Sequence, residues 1–365
     1  MGYSRRTFLK WLGLTGAGAA LWTTGCTPAG EQAAQPATAQ PTQPQATSQP
    51  TDQAAPEATS QATEAAEAQS TPQPTPQPTV EPASPDEAPQ NEASSDEPAY
   101  LAVMHGADPA AITEAAVAAL GGIARFVQPG HDVIIKPNIC VNHQTFEYAA
   151  TTNPTVVGTL VRMCLDAGAK RVRVMDTPYT GDPETAYRTS GIWDAVVAAG
   201  GQMEVMSTVK FGDFDIPNGR DITSWPIYRD VVEADVLINV PIAKHHGSTR
   251  LTLGAKNLMG VIGRPNQFHR NLDQRIADLN TRLRPALTVV DAVRILTDHG
   301  PGGGNLDDVK KMDMVIASHD GVVADAYATT LFGLTPDDIG YIRLGAEMGL
   351  GVKDWAGVRV VEATV

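Results

Sequence analysis

The chain of 365 residues sets 27 Lys and Arg against 41 Asp and Glu, a formal net charge of −14, and its pI is about 4.9. An acidic chain without a basic face excludes nucleic acid as a partner. Three cysteines are too few for a disulfide scaffold, for an iron–sulfur cluster held by four cysteines or for a CxxC zinc site.

The first element in chain order is an address. SRRTFLK (Ser4–Lys10) precedes the uncharged run WLGLTGAGAALWTTGC, the three-part form of an export signal. Arg5 and Arg6, followed by Phe8, Leu9 and Lys10, resemble the twin-arginine signal of proteins exported already folded, so the twin-arginine machinery is an expected partner. The apolar run is well short of the roughly 20 residues a bilayer span needs. It ends at TTGC, which looks like a bacterial lipobox with Cys26 as the acylated residue, although Thr23 stands where leucine is usual. A lipid there would hold the protein on the extracytoplasmic face of the membrane; cleavage by ordinary signal peptidase, leaving a soluble protein, is the alternative.

Residues 1–26 are therefore expected to be a signal, and 27–98 a disordered linker. The linker is built of Pro, Gln, Ala, Thr, Ser and Glu, with no Lys or Arg, and cannot bury enough surface to offset its conformational entropy. As a coil it reaches on the order of 50 Å. It holds eleven acidic residues and the signal three basic ones, so the segment from Tyr100 onward carries only −6 of the charge.

Residues 99–365 suffice for one large α/β unit. DVIIKPN, RVRVMD, DVLINVP, ALTVVDA and MDMVIASHD alternate with amphipathic stretches, which predicts a mainly parallel sheet flanked by helices. One αβ unit is well marked: Asn153 caps, Pro154 occupies the first helical position and Gly168 stops the helix before the next strand.

Polar residues gather where these strands end. Lys136 and Asn138 follow the first, Asp176 ends the second, Lys244, His245 and His246 follow the third, Asp291 ends the fourth and Asp320 follows the fifth. In open parallel sheets ligands bind beyond the carboxyl ends of the strands, so these residues, with Lys256, Asn257, His269 and Asp325, are expected to share one cleft. Any single aspartate there could equally be a cap or turn former. Lysines and histidines at such positions need partners, and a small anionic ligand would supply them. Gly254, Gly260 and Gly263 allow close backbone approach around Lys256. A Lys256 that only caps a helix or pairs with an aspartate is the competing reading.

Neither GxxxxGK[ST] nor GxGxxG after a strand is present, and no GxSxG elbow or persuasive cysteine nucleophile supports covalent acyl chemistry. His245, His246, His269 and His299 with Asp291 and Asp320 are chemically sufficient for acid/base work or for a metal, with His246 and His269 as the metal candidates; no motif fixes one. GPGGG (Gly300–Gly304) reads as a turn or a lid. Cys140 and Cys164 are either buried small apolar residues or a single bridge in an oxidising compartment.

IIKPN, NVPIAKHH, LTLGAKNLMGVIG, RIADLN, ALTVVDA, GPGGG and DGVVADA, in that order across Val133–Ala326, resemble the bacterial and archaeal family called domain of unknown function 362. Some relatives carry ferredoxin-type cysteine motifs, which this chain lacks, so their electron-transfer role is not carried over. Lys256 in LGAK, ten residues after His246, with His269 downstream, is also similar to the pattern of lactate racemase and its nickel-pincer relatives. That resemblance implies a covalent role for Lys256, metal binding or proton transfer for His246 or His269, and a substrate-carboxylate contact for Lys244.

Together these features predict a membrane-tethered enzyme acting on a small anionic substrate by proton transfer or redox chemistry. Lys244, His245, His246, Lys256 and Asp291 are the catalytic candidates, and Lys136, Asn138, Asp176, Asn257, Asp320 and Asp325 the substrate-binding ones. A ligand-binding lipoprotein without chemistry and an envelope interaction protein are the alternatives.

Overall fold

The computed structural model describes residues 98–365; the expected signal, the linker before residue 98 and Cys26 lie outside the described residues. Twelve strands alternate with ten α-helices. The strands are β1 (Leu101–His105), β2 (Asp132–Pro137), β3 (Arg171–Val174), β4 (Gln202–Met203), β5 (Phe211–Asp215), β6 (Ser224–Tyr228), β7 (Val236–Val240), β8 (Ile242–His246), β9 (Arg250–Thr252), β10 (Leu287–Leu296), β11 (Val309–Ser318) and β12 (Val360–Thr364). The helices are α1 (Pro109–Ala119), α2 (Pro154–Asp166), α3 (Pro183–Thr189), α4 (Ile192–Ala198), α5 (Arg229–Glu233), α6 (Gly254–Asn257), α7 (Pro265–Phe268), α8 (Leu272–Arg282), α9 (Gly321–Thr329) and α10 (Gly340–Glu347).

The main sheet runs β12-β1-β11-β10-β7-β2-β3-β4, with β8 and β9 attached through β10, while β5 and β6 form a separate ribbon. The sheet is mixed: six of its pairings are parallel, in line with the expectation, and three are antiparallel, so it is not purely parallel. β10, β7, β2, β3 and β4 are parallel neighbours, whereas β11 runs antiparallel to both β1 and β10. Nothing in MDMVIASHD announces its direction, because a strand covered on both faces has the same apolar content either way.

Alternation along the strands divides the core in two. Val133 and Ile135 face one helical layer, with Val156 and Leu160 of α2 in the same cluster, and Ile134 faces the other, with Ile276 and Leu279 of α8. The two-residue side-chain period forces that division, and full burial of each such side chain contributes roughly 1.5–3 kcal/mol. The α2 unit forms as its sequence directs: the Asn153 side chain accepts from Thr155 N–H, Pro154 opens the helix and Gly168 sits at φ +89°.

Pro241 decides the geometry of the site. It separates β7 from β8, which otherwise form one extended path along β10: β7 pairs with Leu287 and Thr288, β8 with Asp291 and Leu296. Proline has no N–H for a ladder. β2 leaves the sheet at Pro137, opposite Val240, and its chain turns away toward α2 while β8 continues. The gap between them is where the polar residues gather.

Candidate active site

A cleft of about 230 Å³ opens at the carboxyl ends of β2, β3 and β7, walled by β8, β9, α6 and the segment from Leu258 to His269. Lys136, Asn138, Asp176, Lys244, His246, Lys256, Asn257 and His269 all line it. Lys244 and His246 point into it because they are two apart on β8.

His245, between them, takes the opposite face, where Gly300 N–H donates to its Nδ1 at 3.1 Å; its expected place beside Lys244 is corrected by strand alternation. These residues do not follow the third strand in a loop but form part of its continuation. Asp291 is likewise inside a strand, since β10 runs on to Leu296. Its buried carboxylate accepts from Asn153 N–H (2.7 Å) and Val293 N–H (3.0 Å), and burial pushes its pKa up to about 6. Asp320 follows the antiparallel β11 and so emerges at the other end of the sheet, where it caps α9 through Val322 N–H and Val323 N–H and accepts from Tyr100 Oη. Asp325 lies behind the cleft wall. Its carboxylate accepts from Gly254 N–H (2.6 Å) and Ala255 N–H (2.8 Å), holding the start of the α6 turn that carries Lys256 and Asn257, and burial raises its pKa to about 7.

Within the cleft the hydrogen-bonding capacity of most groups is already spent. Asn257 is the hub: Oδ1 accepts from Lys136 Nζ (2.7 Å) and Asn138 Nδ2 (2.9 Å), and Nδ2 donates to Asn239 Oδ1 (2.8 Å) and the Lys136 carbonyl (3.2 Å). All four positions of an amide are then used, so Asn257 holds the site together and has none left for a substrate. Lys136 is ion-paired to Asp176 at 2.9 Å, and Asp176 also accepts from Ile139 N–H and Thr177 N–H. Burial pulls the Lys136 pKa down and pushes the Asp176 pKa up, each against the attraction of its partner. Gly260 is required beside them, because a Cβ there would stand 1.9 Å from Asp176 Oδ1.

Lys244 donates to Asn138 Oδ1 (3.0 Å), the Ala150 carbonyl (2.7 Å) and the Pro301 carbonyl (3.0 Å). An ammonium has three donors, so Lys244 is saturated, yet all three acceptors are neutral and its charge stays uncompensated. Through Pro301 it also ties GPGGG to the cleft wall.

Lys256 differs from both. It is 8% exposed, and among the described residues its Nζ has no hydrogen-bond or ion-pair partner. Burial, followed by the charge of Lys244, lowers its pKa to about 8. Thr252, which lines the same cleft opposite Lys244 in the β8–β9 pair, also has its Oγ1 buried without a partner. Ser248 N–H donates to His246 Nδ1 at 3.0 Å, so His246 carries its proton on Nε2. Burial and the charges of Lys256 and Lys244 lower its pKa to about 3, keeping it neutral. His269, exposed at the rim, has Nδ1 2.8 Å from the Pro265 carbonyl; that nitrogen donates and Nε2 keeps its lone pair.

A metal ligated by His246 does not fit this arrangement, because its Nδ1 lone pair is occupied by Ser248 N–H and its Nε2 is protonated. His269 offers a single lone pair, and the described residues contain no group of three or more His, Cys, Asp or Glu placed to hold an ion.

Cys140, Thr177 and Thr252 line the cleft without having been singled out as site residues in the sequence. The Thr252 signal was the short HHGST link, which marks a hairpin and so a register. Cys140 donates to the Pro301 carbonyl at 3.4 Å, and Cys140 and Cys164 are both free thiols.

A thylakoid-associated protein of Synechocystis sp. is 24% identical over 246 residues, covering 63% of this chain and 72% of the relative. Among solved structures, the lactate racemase apoprotein of Thermoanaerobacterium thermosaccharolyticum aligns with a TM-score of 0.39 and 11% identity, covering 63% of this chain and 56% of that one. A structural-genomics protein of Thermotoga maritima gives 0.38 and 13%, covering 62% and 59%. The chain thus spans under two thirds of either structure, and at these scores the likeness carries no inference about chemistry. Residues 2–22 match the signal sequence of the twin-arginine translocation pathway, an address for export from the cytoplasm. Residues 133–330, more than half of the chain, match the family described as Domain of unknown function (DUF362), and the chain belongs to that family.

Proposed function

We propose that this exported protein is an enzyme that binds a small anion, a carboxylate in the first instance, and moves a proton on it, with Lys256 as the working amine. The observation that carries the reading is the unpartnered Nζ of Lys256, buried beside the uncompensated charge of Lys244. Isolated buried charge costs several kcal/mol, and a bound anion would offset that cost where the described residues give neither Lys244 nor Lys256 a carboxylate partner. Lys244 contributes field rather than a direct contact, since its donors are spent. His246 Nε2–H and Thr252 Oγ1–H are open donors for the ligand, and His269 Nε2 is an acceptor at the mouth. A lysine with a pKa of about 8 has roughly a tenth of its molecules unprotonated at pH 7, a usable base population. In the same proposal Cys26 takes a lipid after export and residues 27–98 act as a spacer from the membrane.

Calorimetric titration of the purified chain with glycolate, oxalate and phosphate, beside the Lys256→Met variant, tests the binding half. Micromolar to millimolar binding by the wild type, weakened at least tenfold in the variant, is expected; equal binding by both would remove Lys256 from the site. Deuterium uptake by the bound acid in D₂O then separates an enzyme from a binding protein, which would use the same cations without exchange.

A further inference from the structure

We infer that Lys256 is a carbonyl-reactive amine, and that the cleft takes a small aldehyde or ketone bearing an acidic group and holds it as an imine on Nζ. The inference rests on the cleft being an anion site and deepens that reading by naming the functional group beside the anion.

A nucleophilic amine must be reachable, uncharged for part of the time and free of hydrogen bonds that occupy its lone pair. Of the three lysines in the cleft only Lys256 meets the last condition. Lys136 is held by Asp176 and Asn257, and Lys244 by three carbonyl-type acceptors. Burial among cations supplies the second condition, as for other desolvated lysines. The groups that weigh most on Nζ are Lys244 of β8, Cys140 and Lys136 from the β2 side and Asp273 of α8, with His246 and His269 facing the same cleft; Asp273 makes no ion pair with it.

The chemistry balances without a redox partner. The Nζ lone pair forms the C–N bond while the carbonyl π pair moves onto oxygen, giving a carbinolamine. Both amine hydrogens then leave with that oxygen as water, and the nitrogen completes the C=N bond. The departing hydroxyl needs a nearby polar group in an otherwise closed wall. Thr252, whose Oγ1 is buried without a partner, forms part of that wall.

The test is reductive trapping of the full purified chain with glyoxylate and, separately, with uncharged propionaldehyde, each with cyanoborohydride at pH 8, followed by peptide mapping of every lysine. Glyoxylate is expected to modify Lys256 at least tenfold faster than the exposed Lys170 and Lys310, and Lys256→Arg should lose that adduct while keeping the wild-type melting temperature. If propionaldehyde marks Lys256 as fast as glyoxylate, the reactive amine stands and the anion preference falls. If Lys256 reacts no faster than Lys170 with either probe, while glyoxylate still binds the wild type, the imine is overturned and the anion site remains.

Discussion

Two clusters of three cations lie on this sheet, and they are built differently. Around β3, Arg171, Arg173 and Lys210 meet Asp132, Glu204 and Asp230, with Arg173 reaching all three acids although it is only 5% exposed. Around β2 and β8, Lys136, Lys244 and Lys256 meet one carboxylate, Asp176. The first cluster is balanced and its donors point at acceptors within the chain. The second carries charge that the described part of the protein does not neutralise, and one of its amines is left open. Burying a cation without an acid is unfavourable, so the imbalance fits the proposed site and the balance fits a brace.

The sharpest way to break that contrast is to remove one cation from each. Arg173→Met should destabilise by ~3 kcal/mol, because three acids lose their shared partner, and should leave ligand affinity of the folded protein nearly unchanged. Lys256→Met should do the reverse, weakening anion binding tenfold or more without loss of stability. Denaturant titration and calorimetry on both variants measure the two effects; a large stability loss in Lys256→Met would make it a brace as well.

Asp325→Ala comes next in size. It frees Gly254 N–H and Ala255 N–H at the start of α6, costing ~1–3 kcal/mol, and should reduce ligand affinity severalfold because Lys256 rides on that turn. Affinity unchanged in the folded variant would mean that α6 is held by its other contacts.

The pH dependence of stability has a definite sign. The folded pKa of Lys256, about 8, lies below its ordinary 10.5, so between these values the unfolded chain binds more protons and the Lys256 contribution to stability rises with pH. Below pH 8 the group imposes its full cost, of the order of 3 kcal/mol at most. Lys256→Met should therefore be more stable than the wild type at pH 7, with the advantage shrinking toward pH 10.5. An advantage independent of pH over that window would count against the depressed pKa.

The smallest effect is expected from Thr252→Val. Removing a buried hydroxyl without a partner should leave stability the same or slightly higher, while ligand affinity falls a few-fold. Outside the described residues, Cys26→Ser should release the protein from membranes in a fractionation experiment; tight membrane association of a processed variant would contradict lipid anchoring.

Much of this site was legible because ends of parallel strands are where such sheets bind ligands. That rule points to Lys136, Asn138, Asp176 and Lys244, and the small-residue surroundings point to Lys256; all five line the one cleft. Other features needed tertiary information. Asp320 was misplaced because the direction of β11 leaves no trace in its apolar pattern, and Asp291 because β10 continues past it as an equally apolar strand. His245 could have been assigned to the other face by alternation, had β8 been recognised as a strand despite its charges. Thr252 depended on a hairpin register, and the saturation of Asn257 and Lys244 on which acceptors the fold brings to them, neither of which spacing encodes.

The claim that Lys256 is the open, desolvated amine of the cleft is tested most directly by NMR titration of the lysine side chains, with Lys256→Met used for assignment. The account predicts one lysine resonance titrating near pH 8 in the wild type and absent from the variant. A spectrum in which no resonance lost in Lys256→Met titrates near pH 8 would contradict it; the resonance of Lys136, whose pKa burial also lowers, is expected in both proteins.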